Sequence, residues 1–322
     1  MNEQVMNELK NFIFTQSKKG YEKCFWAKSN CYQDSIRAHS IQNGQILERL
    51  VCNNHVVMPV PKPNLNTGAK IEFKLVGRNQ ATTFTGLCGH HDSELFLPID
   101  TNKFDIKNEE QKFLIAYRSV LRELHSRTKA AIDLQSIYQK GVEVGKFDPC
   151  NFDEPMFKAT MEWMNCYTFY RYKCVYDNIY INSSFAEIEH DYIQINNRSC
   201  PIAVSSLISP INNMKFLQER LEPKYIVLNV FPLEEDTIIL FSYRKSHRDD
   251  LSPYVNEIKN TSGDYQLYLL SKNILRYCEN FVISPEHFNK FSTQKKDDIK
   301  DFYHATLTDF DYDCENLNLM LF

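Results

Sequence analysis

The chain has 322 residues, 43% hydrophobic and 24% charged, with 22 Phe and 18 Tyr to fill an interior; this composition excludes a disordered or low-complexity polypeptide and suits two domains of ordinary size. Its formal charge of -4 provides no global attraction to a polyanion, and residues 1–100 carry 11 basic against 9 acidic side chains while the rest carry 26 against 32, a weak asymmetry. The opening MNEQVMNELKNFIF contains acidic residues and no long apolar core, and no run approaches about eighteen apolar residues, so a soluble cytoplasmic chain with no secretory signal and no membrane partner is expected. In that compartment the ten cysteines are thiols or metal ligands rather than disulfides.

Residues 1–18 place Val5, Leu9, Phe12 and Ile13 on one face of an amphipathic helix that closes near Gly20. From Cys24 to about Asp100 the pattern is short and broken. It holds a Cys-bounded loop, two strand-like runs (HVVMPV at 55–60 and AKIEFKLVG at 69–77) joined by PKPNLNTG, and the start of a helix. Residues 107–140 then repeat apolar positions at three- and four-residue steps through Phe113, Leu114, Tyr117, Leu121, Leu124 and Thr128, and a second long helix is expected at 153–176. Strand signals follow at 185–195, 200–208, 225–232 and 236–244, the last two joined by Leu233, Glu234 and Glu235 as in a hairpin. Helical periodicity returns at 251–277 and 292–307, and RYCENFVISPEHF (276–288) reads as helix, short strand and a helix opened by Ser284 and Pro285. The expected fold class is α+β: a small metal-binding domain at 1–100, long connecting helices at 101–182, and a mainly antiparallel sheet domain at 183–322.

Cys24, Cys31, Cys88 and His91 are the candidate metal ligands. Zinc takes four tetrahedral N or S donors, and a small domain with little core gains folding free energy from such a site. In GLCGHHDSELF (86–96) Cys88 and His91 stand at i and i+3, so the first turn of a helix directs both to one side. The gap in CFWAKSNC is wider than the usual ligand pair, which leaves Cys52 and His55 of VCNNHVV as alternative partners. The other six cysteines, Cys150, Cys166, Cys174, Cys200, Cys278 and Cys314, sit among aromatic and aliphatic neighbours and read as core.

The order Cys24, Cys31, IRAHSIQNGQIL (36–47) and GLCGHHDSELF resembles the HNH, or ββα-metal, endonucleases built on a treble-clef zinc fold, over residues of about 20–98. The resemblance implies a structural zinc on Cys24, Cys31, Cys88 and His91, a general base at His39, and Mg²⁺ or Mn²⁺ bound through Asp92 or His90. Arg37, two residues before His39 and on its side of a strand, would contact the phosphate. Asn53, Asn54 and Asn79 are open counterparts of the family's middle Asn. Nucleic acid, DNA before RNA, is the implied partner, with antiviral defence or a toxin system as the setting and a homo-oligomer as an open state. Against this stand bland readings: His39 as a hydrogen-bonded structural residue, and Asp92 as an acid favoured at a helix N-terminus.

Beyond residue 100 no phosphate loop or nucleophile elbow is found, Ser205 and Ser206 lacking flanking glycines. YTFYRYKCVY (167–176) has the makings of a base-stacking strip with Arg171 and Lys173 on phosphates, but Phe169, Tyr172 and Tyr176 share a helical face, which favours burial. SYRKSHRDD (242–250) is the best basic cluster of this half. Two expectations follow: a metal-dependent HNH-like endonuclease, or a non-catalytic zinc protein that binds nucleic acid or senses a signal.

Overall fold

The computed structural model describes residues 3–28, 31–62, 70–151, 154–211, 222–309, 312–314 and 317–322. Its contacts divide the chain into two interleaved units. The first comprises Met1–Ala38, Phe84–Phe96 and Val120–Ser184; the second comprises His39–Thr83, Leu97–Ser119 and Phe185–Phe322. The chain crosses between the two units at residues 38–39, 83–84, 96–97, 119–120 and 184–185.

Helix α1 (Glu3–Ser17) and helix α5 (Glu154–Ile181) lie in the first unit. Helix α3 (Gly89–Asp100) and the long α4 (Glu109–Glu143) each begin in one unit and end in the other. The periodicity read from the sequence accounts for α4: Leu114, Tyr117, Leu121, Leu124, Thr128 and Ala131 recur at helical steps and are all buried. Along α4 Lys129 and Asp133 meet at 2.6 Å and Arg127 reaches the buried Glu123 at 3.2 Å, both one turn apart. Within the first unit α1 is fastened to α4 by Gln16 Nε2 donating to Asp133 at 3.3 Å and by the Glu8–Lys140 ion pair at 2.7 Å.

The second unit is built on a seven-stranded sheet in the order β3-β2-β9-β6-β7-β8-β5. Its strands are β2 (His55–Lys62), β3 (Lys70–Gly77), β5 (Ile188–Ile195), β6 (Ile202–Ile208), β7 (Ile226–Pro232), β8 (Thr237–Arg244) and β9 (Phe281–Ile283). Every described pairing is antiparallel, including β2 with β9 through Val57 and Ile283. Two-residue strands β1 (Ala38–His39) and β4 (Thr83–Phe84) pair separately. Strands β6 and β7 are buried along their whole length because both faces are covered. Helices α6 (Arg248–Lys259), α7 (Gly263–Tyr277) and α9 (Thr293–Thr308) cover one face through Leu251, Val255, Leu270, Ile274, Ile299 and Phe302. The other face meets Ile41, Leu47 of the Asn43–Leu47 turn and Leu50 of the short α2 (Glu48–Leu50), with Phe104 and Ile115 farther along.

The hairpin β2–β3 falls in this sheet, in the second unit, whereas Cys24, Cys31 and Cys88 belong to the first. Its apolar residues explain the placement. Val56, Val57 and Ile71 are at most 8% exposed, and they join core clusters that also hold Cys200, Ala203 and Val282. A short metal-bound loop has no surface of that size to offer. Local signals hold elsewhere: Ser292 caps α9 by accepting from the Lys295 amide at 3.2 Å, and Pro285 opens α8 (Pro285–Asn289). Among the described residues no helix is long and apolar enough to cross a membrane.

Candidate metal centre

Two segments of the first unit bring the four ligands together. The loop carrying Cys24 and Cys31 is closed at its base by a bridge between Lys23 and Asp34 and by Ser35 N donating to Glu22 O at 2.8 Å. Phe25 N donates to Gly86 O and Ile36 N to Leu87 O, each at 2.8 Å, which pins this loop to the stretch that enters α3. Helix α3 starts at Gly89, so Cys88 just before it and His91 in its first turn face one side, as their spacing predicts. From the other side Lys173 Nζ donates to Phe25 O and pairs with Asp177 at 2.7 Å in the interior of the unit. Tyr21 stacks on Phe25 with centroids 5.1 Å apart, and its carbonyl accepts from Thr85 Oγ1.

The donor atoms converge. Cys24 Sγ lies 3.4 Å from His91 Nδ1, Cys88 Sγ lies 3.3 Å from that nitrogen, and Cys31 Sγ lies 3.8 Å from Cys88 Sγ. The four form a group able to hold one metal ion. Trp26 stacks on the His91 ring at 4.3 Å and 7°, fixing the imidazole plane so that Nδ1 faces the thiols. Burial pushes the Cys24 thiol up to about 11, with hydrogen bonds from the Cys88 and Trp26 amides opposing the rise. Cys88 is also penalised by burial, but amide donors from His91 and His90 and the neighbouring thiols bring it below the ordinary thiol value. His91 is held below the usual histidine range by burial and by His90 beside it, so its ring is neutral and ready to ligate.

Cys52 and His55 serve a different purpose. Their amides and carbonyls exchange two hydrogen bonds of 3.0 Å across Asn53 and Asn54, whose φ values of 49° and 60° form the left-handed pair of a tight hairpin turn. The His55 ring bonds Asn53 O at 2.7 Å, and neither residue belongs to a metal-type cluster among the described residues. The two asparagines are turn formers, which chain spacing alone did not distinguish from catalytic ones.

His39 lies in the second unit, half-buried, with Nδ1 3.0 Å from Ala81 O. A carbonyl only accepts, so Nδ1 carries the proton and Nε2 keeps its lone pair. Burial lowers its pKa despite that bond, and Arg118 and Arg78 lower it further. Arg37 is exposed and belongs to the first unit. His90 and Asp92 are both in the first turn of α3; His90 is mostly exposed, with Nε2 3.5 Å from Glu94, and His90, His91 and Glu94 form a second, looser ligand-type group. Asp92 N closes that turn on Cys88 O at 2.9 Å. No described metal-type group contains His39 or Asp92.

The aromatic strip of α5 is split. Tyr172 and Tyr176 are buried and Phe169 half-buried, as their shared face implies, but Trp163, Tyr167 and Tyr170 are exposed at 41%, 63% and 51%. Lys173 is buried, with its ammonium on Asp177 and Phe25 O, and is not presented to a phosphate. The sequence reading missed Trp26 and Lys173 as supports of the metal loop; a Trp two residues after a candidate ligand was the available signal for the first. The chain matches no protein-family model, no curated protein and no solved structure.

Proposed function

We propose that the Cys24, Cys31, Cys88 and His91 cluster binds a structural zinc ion and that the chain is a metal-dependent, HNH-like endonuclease acting on nucleic-acid phosphodiesters. The donor spacing supports zinc. With Zn–S near 2.3 Å and Zn–N near 2.0–2.1 Å, a tetrahedron has S–S edges of about 3.8 Å and S–N edges of about 3.6 Å. The S–S contact of 3.8 Å equals its edge, and the S–N contacts of 3.3 and 3.4 Å fall about 0.2–0.3 Å short of theirs. Three thiolates and one imidazole complete the shell and leave no coordination position for substrate, so this ion organises the loop and takes no part in chemistry.

The catalytic reading rests on His39. Its imidazole is neutral near pH 7, its tautomer is set by Ala81 O, and the basic nitrogen is Nε2. That is the state a general base needs to take a proton from the water that attacks phosphorus. Mg²⁺ or Mn²⁺ would stabilise charge on the phosphoryl and leaving oxygens. The alternative, a zinc protein that binds or senses without turnover, is favoured by the lack of any described metal-type group that includes His39.

Plasmid nicking with Mg²⁺ or Mn²⁺, run on the native protein and on His39→Ala, separates the two. The nuclease reading expects cleavage that needs the divalent ion and falls at least about a hundredfold in His39→Ala, the usual scale for a lost general base, at unchanged zinc content. Absence of cleavage on DNA and RNA by the native protein leaves the binding module.

A further inference from the structure

Helix α5 is apolar on two opposite sides, and only one of them is covered. On the covered side Cys166 and Phe169 pack with Leu124 and Ala131 of α4, and Thr128 Oγ1 meets Cys166 Sγ at 3.3 Å. The opposite side carries Phe157, Trp163, Met164, Tyr167 and Tyr170, each 41–63% exposed, at helical steps that set them along one stripe. A solvated helix face is normally charged. Here residues 154–171 hold four charges: Lys158 pairs with Glu154, Glu162 turns to Arg127 of α4 at 3.5 Å, and Arg171 stands on the stripe. An aromatic side chain offers about 150–250 Å², so these five, roughly half exposed, leave about 400–600 Å² of apolar area. Exposed patches of about 300–600 Å² on a single chain often serve an interaction.

The stripe reads alike from either end. Laid antiparallel on a second copy of itself about a centre between Trp163 and Met164, it sets Phe157 against the partner's Tyr170 and Thr160 against the partner's Tyr167. Trp163 and Met164 then meet their counterparts beside the axis, and Trp163 is already held by its Nε1 donating to Gln135 Oε1 at 2.8 Å. A twofold interface requires such self-complementarity. The charges agree with it. Arg171 is exposed, with no ion partner among the described residues, and comes to the end of the partner helix that opens with Glu154. The Glu154 carboxylate takes Lys158 from its own helix and keeps lone pairs for a guanidinium.

We propose that this stripe is the interface of a homodimer, in which two copies of the chain pack α5 against α5 in antiparallel sense. Two stripes face to face remove about 800–1,200 Å² from water, near the roughly 1,000 Å² that a specific interface must reach. The dimer is therefore one of modest affinity. A single strand of nucleic acid stacking on the same rings fits less well, because one free cation, with Glu154 at the end of the stripe, offers little to a polyanion. The proposal needs neither the zinc nor the nuclease reading.

The test is sedimentation of the full chain over a concentration series. A reversible monomer–dimer equilibrium is expected, with Kd on the order of 1–100 µM for an interface of this size. Tyr167→Glu buries a carboxylate in the contact and should weaken the dimer at least about a hundredfold. Arg171→Glu places like charges opposite each other and should weaken it about tenfold, and Arg171→Glu combined with Glu154→Arg should recover most of that loss. All three positions are exposed, so circular dichroism should report native folding; if Tyr167→Glu does not fold, the charge-swap variants decide. A native chain that stays monomeric to about 500 µM, a dimer indifferent to Tyr167→Glu, or a charge swap no tighter than Arg171→Glu alone would overturn the proposal. So would a monomeric native chain that binds a single-stranded oligonucleotide through Tyr167, which gives the stripe to nucleic acid.

Discussion

The loop Tyr21–Ile36 and the paired strands β6 and β7 represent opposite ways of ordering a chain. None of the loop's described residues is buried, and Tyr32 is 92% exposed, whereas all residues of β6 and β7 are buried. A strand of the second kind is held by apolar area, about 25 cal/mol per Å² removed from water, and needs nothing else. The loop has little such area, mainly Phe25 against Leu124, Ala131 and Cys166. Its backbone ties to Gly86 and Leu87, the Lys173 bond to Phe25 and the convergence of three thiols with His91 do most to order it. Structural zinc in small peptides supplies roughly 10–16 kcal/mol, which is folding free energy when no core exists.

The largest expected effect follows from that contrast. Chelation of the proposed zinc should release amide protection across Tyr21–Ile36 and the first turn of α3, with a local loss on the order of several kcal/mol, while protection in β6, β7 and β8 stays native. Hydrogen exchange read by mass spectrometry resolves the two regions. Equal loss in both would break the comparison.

The converse experiment cuts the sheet. Phe241 is wholly buried in the core cluster, so Phe241→Ala should cost about 3–5 kcal/mol in denaturant unfolding. Zinc content measured before unfolding should be unchanged.

Acid sharpens the picture further. His125, which bonds Thr85 Oγ1 at 2.9 Å, is lowered to about 4 by burial and then by the charges of Arg122 and Lys129. Unfolded histidine titrates near 6.5, so between about 6.5 and 4 the unfolded chain binds the extra proton and stability falls as pH falls. The full penalty is about 3 kcal/mol, reached below pH 4, and His125→Gln should remove that part of the slope in a pH series of unfolding midpoints. Burial lowers His190 similarly, to about 3, in the second unit, so residual slope in the variant is expected.

The smallest effect tests the discarded ligand pair. Cys52 and His55 bond each other through their backbones, and the His55 ring bond to Asn53 O is exposed, so Cys52→Ser and His55→Ala should leave zinc content unchanged and shift stability by less than about 0.5 kcal/mol. Metal loss from either variant would reinstate them as ligands.

What the sequence disclosed follows the range of the interactions involved. Elements fixed by local periodicity were legible: α4 at 109–143 against 107–140 expected, and the strand pair 226–232 and 237–244 with its short connection. Cys88 and His91 were legible because a single helical turn relates them. The placement of β2–β3 was not, since its address depends on pairing Val57 with Ile283 from the far end of the chain. The Cys52-x-x-His55 spacing misled because a two-residue turn and a ligand pair look alike until φ is known. Asn229 carried a usable signal, a lone amide in an otherwise apolar strand, whose meaning depended on Ser119 from a distant helix.

Metal analysis of the purified chain tests the central claim most directly. One zinc per chain is expected, retained through dialysis and lost in Cys88→Ser together with the order of the Tyr21–Ile36 loop. A native protein that is folded throughout with no bound metal, or a Cys88→Ser protein with zinc and loop protection intact, would contradict it.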